Sequence, residues 1–247
     1  MASAVLYTKP MTTPTAHKEP HNRGSGQTLN RLRAAVLGAN DGITSVAGIV
    51  VGVAGATNSI SAIVTAGTAG LIAGALSMAA GEYISVSSQR DTERALLEKE
   101  RTELKQYPKQ ELAELTTIYQ KKGLSPTTAS QVAKELTAND VFAAHVDAEL
   151  GIDPNDLTSP WQAAVASAIS FLAGAIIPLI AIILPSQPYR VPVTFVAVVL
   201  ALVITGALSA RASKANMGLA IRRVVAGGIF AMVVTYGIGH LLKVSGI

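Results

Sequence analysis

The sequence contains no cysteine, which excludes disulfides, cysteine-ligated zinc and thiol catalysis. It is also short of charge. Only 15% of its 247 residues are Asp, Glu, Lys or Arg, against a hydrophobic share of 49%. A soluble domain carries about 25% charged residues, so the deficit points to a chain embedded in lipid. The mean hydropathy of +0.40 points the same way. The net charge of +4 is small and no basic run is interleaved with aromatics, so nucleic acid is not an expected partner. A signal peptide needs an apolar run of roughly 7–15 residues after a charged start, and the N-terminal region has none. Met1 to about Gln27 is rich in Thr, Pro, His, Gly and Ser, and residues 1–28 are expected to form a disordered tail.

The charge that is present is segregated. Of 16 acidic residues, 14 lie between Glu82 and Asp156, together with 9 Lys and Arg, for a net of −5 in that window. The rest of the chain holds 11 basic residues and only Glu19 and Asp41 as acids, a net of +9. An acidic segment is thus flanked by apolar segments with basic borders.

From Gly42 through Gly81 there is no Asp, Glu, Lys or Arg. One span needs roughly 20 apolar residues, so this stretch divides into two helices, Leu29–Ala56 and Ile60–Ser88, around Thr57-Asn58-Ser59. Further spans are expected at Trp161–Leu184, Val191–Ala210 and Val224–Leu242. The fold class is therefore an all-α polytopic membrane protein with five transmembrane helices. The tail, the acidic segment and the Arg211–Arg223 turn would share one face of the membrane, with only Arg190 and Lys243 on the other. Basic loops face the cytoplasm, so the N-terminus and the acidic segment are expected there.

The acidic segment reads as helical. The second span continues through Glu82 to about Gln106, where Pro108 stops it. A helix over Lys109–Lys121 ends at Gly123. Ser125-Pro126 starts a third helix reaching Thr137, and Asn139 or Asp140 caps a fourth that ends at Leu150 before Gly151. The expected domains are residues 29–88 and 157–247 in the membrane, with residues 89–156 as a helical unit between them. Small residues at four-residue spacing (Gly48 and Gly52; Gly70 and Gly74; Ala166, Ser170 and Gly174) allow close helix contacts, either within a bundle or across a dimer.

Three groups of residues carry chemistry. Asp41 is an acid inside the first span, where a carboxylate costs roughly 2.5–3.5 kcal/mol on insertion scales and is usually kept for ion or proton handling. Met78 and Glu82, four residues apart, share one face of the second span, and a thioether beside a carboxylate suits a divalent metal of intermediate softness. In the acidic segment, Glu100 and Glu103, then Glu111 and Glu114, form two E-x-x-E pairs on either side of the Pro108 turn. His145 and Glu149 lie at i,i+4 on the last helix. Carboxylates with an imidazole suit Fe²⁺, Mn²⁺ or Zn²⁺. The same acids would otherwise pair with Arg94, Lys99, Arg101 and Lys105 on a solvated helix.

Asn40-Asp41-Gly42 and the stretch Ser77-Met78-Ala79-Ala80-Gly81-Glu82-Tyr83, continuing to Asp91, resemble the vacuolar iron transporter family from about Leu29 to the C-terminus. The resemblance implies a homodimer that moves Fe²⁺, and often Mn²⁺, out of the cytosol in exchange for protons. It implies a path lined by the first two spans, with the family's aspartate and methionine on Asp41 and Met78. It also implies a cytoplasmic metal-binding domain whose glutamates fall on Glu100, Glu103, Glu111, Glu114 and Glu149. Plant members carry two methionines where this chain has His145 and Val146; an imidazole still ligates metal, whereas valine does not. The expected function is therefore a proton-coupled divalent metal exporter with no prosthetic group. The alternatives are a membrane-anchored di-iron carboxylate enzyme and a metal-sensing module. A di-iron site of the usual kind needs two Glu-x-x-His pairs, and the segment has none.

Overall fold

A computed structural model describes residues 24–244, with side chains from 34 to 243. Of the tail expected over residues 1–28, residues 1–23 lie outside the described residues and residues 24–28 are helical. Seven helices follow in order: α1 (Gly24–Ala56), α2 (Ile60–Gln106), α3 (Pro108–Lys121), α4 (Pro126–His145), α5 (Pro160–Ile183), α6 (Arg190–Ser213) and α7 (Met217–Val244). No strand occurs among the described residues. Five of the helices (α1, α2, α5, α6 and α7) are long and apolar enough to cross a membrane.

The helix starts and stops follow local chemistry. Ser59 caps α2, its side chain accepting from the Ala62 N–H at 3.4 Å. The 47-residue α2 runs without interruption to Gln106, until Pro108 denies it a further N–H. Ser125 caps α4 by accepting from the Thr128 N–H, and Pro126 follows at the first helical position. One expectation needs correction. Helix α1 begins at Gly24, ahead of the expected start at Leu29. No proline lies between Pro20 and the apolar run, so nothing stops helical hydrogen bonding from extending back to the glycines.

Helix α1 is the hub of the bundle and packs on α2, α5, α6 and α7. Its Ile43, Val46, Val50 and Val51 are buried against Phe171 and Ile182 of α5 and Leu202 of α6. Small residues set the closest crossings. A methyl at Gly174 of α5 would run into the backbone carbonyl of Ala39, and one at Gly239 of α7 would run into that of Gly52. The three small-residue faces are therefore used within the chain. Gly48 and Gly52 lie against Thr235 of α7, Gly70 against Ile49, Gly74 against Phe171, and Ser170 against Gly38.

The outward faces of the spanning helices remain apolar. Ile72, Leu76, Ile169, Val196 and Phe230 are exposed, as lipid-facing residues should be. Trp161 at the start of α5 is 70% exposed and meets Tyr83 of α2 with ring centroids 4.9 Å apart. Paired amphipathic rings of this kind mark a membrane–water boundary. Beyond that level lie the rest of α2, helices α3 and α4, and a single π-helical turn over Val146–Leu150.

Candidate metal site

The site is built where α2 outruns the apolar spans. After Gln106 the chain reverses at Tyr107, whose N–H donates to the Glu103 carbonyl at 2.7 Å, and α3 returns. Leu97 of α2, Leu115 of α3, Ala129 and Ala133 of α4, and Val146 are buried. This small apolar core holds the helices together. Helix α4 breaks at Asp140, whose backbone is extended (φ −156°, ψ 101°). Its carboxylate accepts from the Ala143 N–H at 2.9 Å, so Asp140 caps the final helical stretch, as its sequence position suggests. The π-helical turn follows, and Gly151 closes it with a left-handed φ of 63°, a conformation glycine adopts at little cost.

Glu100, Glu111 and His145 project into that core. They are 2%, 7% and 0% exposed respectively, although acids are almost never fully buried unless paired. His145 Nδ1 lies 3.2 Å from Glu100 Oε1 and 3.8 Å from Glu111 Oε2. One donor atom from each of Glu100, Glu111, His145 and Glu149 falls within 4.8 Å of the others. Ligand atoms each about 2.1 Å from one tetrahedral ion lie about 3.4 Å apart, so the cluster closes on an ion by side-chain movements of about an ångström. Glu149 is exposed and Glu100 and Glu111 are not, which leaves the cluster a mouth.

The innermost donors meet one another but accept no hydrogen bond from the surrounding protein. Glu100 Oε1 and both ring nitrogens of His145 are buried without a hydrogen bond, a costly condition for polar groups. Burial, then the charges of Glu149 and Glu111, push the Glu100 carboxyl up to about 7. Burial followed by neighbouring carboxylates also raises Glu111 and Glu149. Burial lowers His145, with Glu114 pulling the other way. A neutral imidazole among crowded carboxylates offers lone pairs and calls for a cation.

Two of the expected ligands stand apart from this cluster. Glu103 is held by Lys99 at 3.0 Å near the surface. Glu114 is exposed and acts on Glu100, Glu111, His145 and Glu149 through its field. Arg101, also weighed as a partner for the acids, instead pairs with Glu98 at 3.3 Å and lies over the Phe142 ring.

Within the spans, Asp41 is exposed on α1 and accepts a hydrogen bond from Ser45 Oγ at 3.2 Å. Met78 is half-buried against the bundle core, and Glu82 is half-buried one turn further along α2. Neither Asp41 nor Glu82 belongs to the four-donor cluster. Sequence reasoning missed the polar link beside Asp41, in which Thr205 Oγ1 of α6 donates to Asn40 Oδ1 of α1 at 2.6 Å. Its only trace in the sequence is a threonine within an apolar run.

A sequence profile of the VIT family matches residues 32–240. The chain belongs to the VIT family. It is 44% identical over 230 residues to a "Vacuolar iron transporter" of Acanthamoeba castellanii, covering 92% of this chain and 84% of that protein. It is 35% identical over 217 residues to "Vacuolar iron transporter homolog 2" of Arabidopsis thaliana, covering 87% and 86%. With "Vacuolar iron transporter homolog 5" of Oryza sativa it shares 36% identity over 219 residues, covering 88% and 83%. The matched region of the VIT family takes in every spanning helix and all the donor residues described above.

Proposed function

We propose that this protein is a proton-coupled exporter of Fe²⁺, with Mn²⁺ as a second cargo, whose charged helical segment captures the ion. The observation that carries this reading is the buried, converging donor set of Glu100, Glu111 and His145 with Glu149 at its mouth, in which Glu100 Oε1 and the His145 ring nitrogens make no hydrogen bond. Membership of a family whose relatives are named as iron transporters makes the protein a metal transporter rather than an enzyme. Three carboxylates and one imidazole suit Fe²⁺ or Mn²⁺, and accept Zn²⁺ as a competitor. Glu103 and Glu114 add negative potential that draws cations toward the mouth.

Residues 89–156 form the capture unit, and residues 29–88 with 157–247 form the membrane unit. The basic residues at Arg211, Lys214, Arg222 and Arg223 put the N-terminus and the capture unit on the cytoplasmic side. From capture, the ion passes to Glu82, Met78 and Asp41. Asp41 is exposed on a spanning helix of the single chain, and a carboxylate facing acyl chains costs roughly 2.5–3.5 kcal/mol. A second copy apposed along α1 and α2 removes that cost and encloses a polar route, which favours a homodimer. Carboxylates bind metal only when deprotonated, so protons entering from the far side displace the ion and Asp41 is the coupling group.

Proteoliposomes with an acidic lumen test this directly. Fe²⁺ and Mn²⁺ accumulate in the lumen, and dissipating the pH gradient abolishes the accumulation. If Asp41→Ala accumulates metal as fast as the unmodified protein, Asp41 does not couple transport to protons.

A further inference from the structure

A second pocket in the charged segment contains none of the four metal donors. It is a cavity of about 570 Å³ between α2 and the loop leading into α5, lined by Arg90, Arg94, Leu97, Glu98, Arg101 and Asn155, among others. Arg90, Arg94 and Arg101 are four and seven residues apart, so they fall on one stripe of α2. Its own lining holds three guanidinium groups and one carboxylate, Glu98, which is already engaged by Arg101 at 3.3 Å; Glu93, Asp140, Asp147, Asp153 and Asp156 line the adjoining pocket beyond Arg101. Arg101 is also fixed from the other side, its guanidinium 4.6 Å from the centre of the Phe142 ring. Arg90 Nε is withdrawn from solvent with no hydrogen-bond partner. Arg90 and Arg94 take part in none of the ion pairs found among the described residues.

The geometry points to a binding site for a phosphate group. Guanidinium forks match phosphate oxygens two at a time, and arginine loses less freedom in doing so than lysine. A buried donor without an acceptor is costly, and an anion that draws the Arg90 guanidinium toward the cavity removes that cost. The cavity is larger than a bare ion requires and falls in the range of small-molecule sites, so the phosphate would be carried on an organic group. Two sources share this chemistry. One is the headgroup of an anionic phospholipid, since α2 passes Tyr83 and Trp161 at the membrane boundary before it reaches Arg90. The other is a soluble phosphate ester. Either would brace the root of α2 against the returning loop without touching the metal donors. This inference does not rest on the transport reading.

The test uses the full chain. Binding of inorganic phosphate is followed by titration in detergent against equal ionic strength of sodium chloride. Thermal stability is then compared in nanodiscs of phosphatidylcholine with and without phosphatidic acid. Stabilisation by inorganic phosphate in detergent identifies a soluble ligand, and stabilisation only by phosphatidic acid identifies the lipid. In either case Arg94→Gln weakens the effect by about tenfold or more. Glu98→Gln removes the acid in the pocket's own lining and tightens binding several-fold, a gain that a misfolded variant cannot mimic. Overturning results are no selective response to either probe, or equal responses in all three proteins.

Discussion

Glu100→Gln keeps the shape of a buried side chain and removes its charge, so it separates the electrostatic cost of the site from its packing. In the folded chain the Glu100 carboxyl is held up to about 7, first by burial and then by Glu149 and Glu111. Its unperturbed value is 4.5. Below pH 4.5 both folded and unfolded states hold the proton, and variant and wild type should melt alike. As pH rises toward and through 7, the unfolded chain gives up the proton readily while the folded site resists, and wild-type stability falls. At about 1.4 kcal/mol per pH unit, the interval amounts to about 3 kcal/mol in metal-free protein. For a chain of this length that corresponds to roughly 6–12 °C in melting temperature if unfolding is cooperative.

In chelator at pH 8, Glu100→Gln should therefore melt above wild type, and at pH 4.5 the two should coincide. Added Mn²⁺ reverses the order. A ligand at a thousand times its dissociation constant adds about 4.1 kcal/mol, more than the cost of the crowded carboxylate, and only the wild type keeps the full donor set. The assay is a melting series over pH 4.5–8.5 with chelator and with Mn²⁺. A variant that melts below wild type in chelator at pH 8 would refute the claim that the carboxylates are crowded at a cost.

Other outcomes follow from the same geometry. His145→Leu fills the buried space but removes the one nitrogen donor, and should weaken Mn²⁺ binding by at least about tenfold in a metal titration. Glu103→Gln should disturb Mn²⁺ binding less than Glu111→Gln, because Lys99 already holds Glu103 at the surface; parallel titrations rank them. Gly174→Ala drives a methyl into the Ala39 carbonyl and should cost about 1–3 kcal/mol, read as a lower melting temperature with unchanged metal affinity of the soluble-facing site.

Much of this architecture is legible in the sequence because charge and proline punctuate it so plainly. The charge-free stretch from Gly42 to Gly81 and the Thr57–Ser59 break define α1 and α2. Pro108, Ser125 with Pro126, and Gly151 mark helix boundaries that the structure reproduces. Residues at i,i+3 share a helix face, which is how the two E-x-x-E pairs suggest a site. Spacing alone does not say how far each side chain lies from the axis joining the two helices. Glu100 and Glu111 point inward and Glu103 and Glu114 sit further round, a difference of rotation set by where Leu97 and Leu115 pack. The Asn40–Thr205 link was hidden for a related reason. It joins residues 165 apart in sequence, and no local pattern encodes such a meeting. The small-residue faces left bundle and dimer open, and the tertiary contacts show most of them packed within the chain.

Helix α2 has a mechanical consequence. At 1.5 Å per residue, its 47 residues make a rod about 70 Å long. Glu82 and Glu100 are fixed on that rod five turns apart, with no proline or glycine between them to act as a joint. Torque applied when a cation draws Glu100 toward α3 has nowhere to dissipate before it reaches the bilayer. Loading at one end would then rotate the Met78 and Glu82 face at the other, so cation binding at Glu100 and reorientation of that face of α2 would be one motion of one rigid shaft.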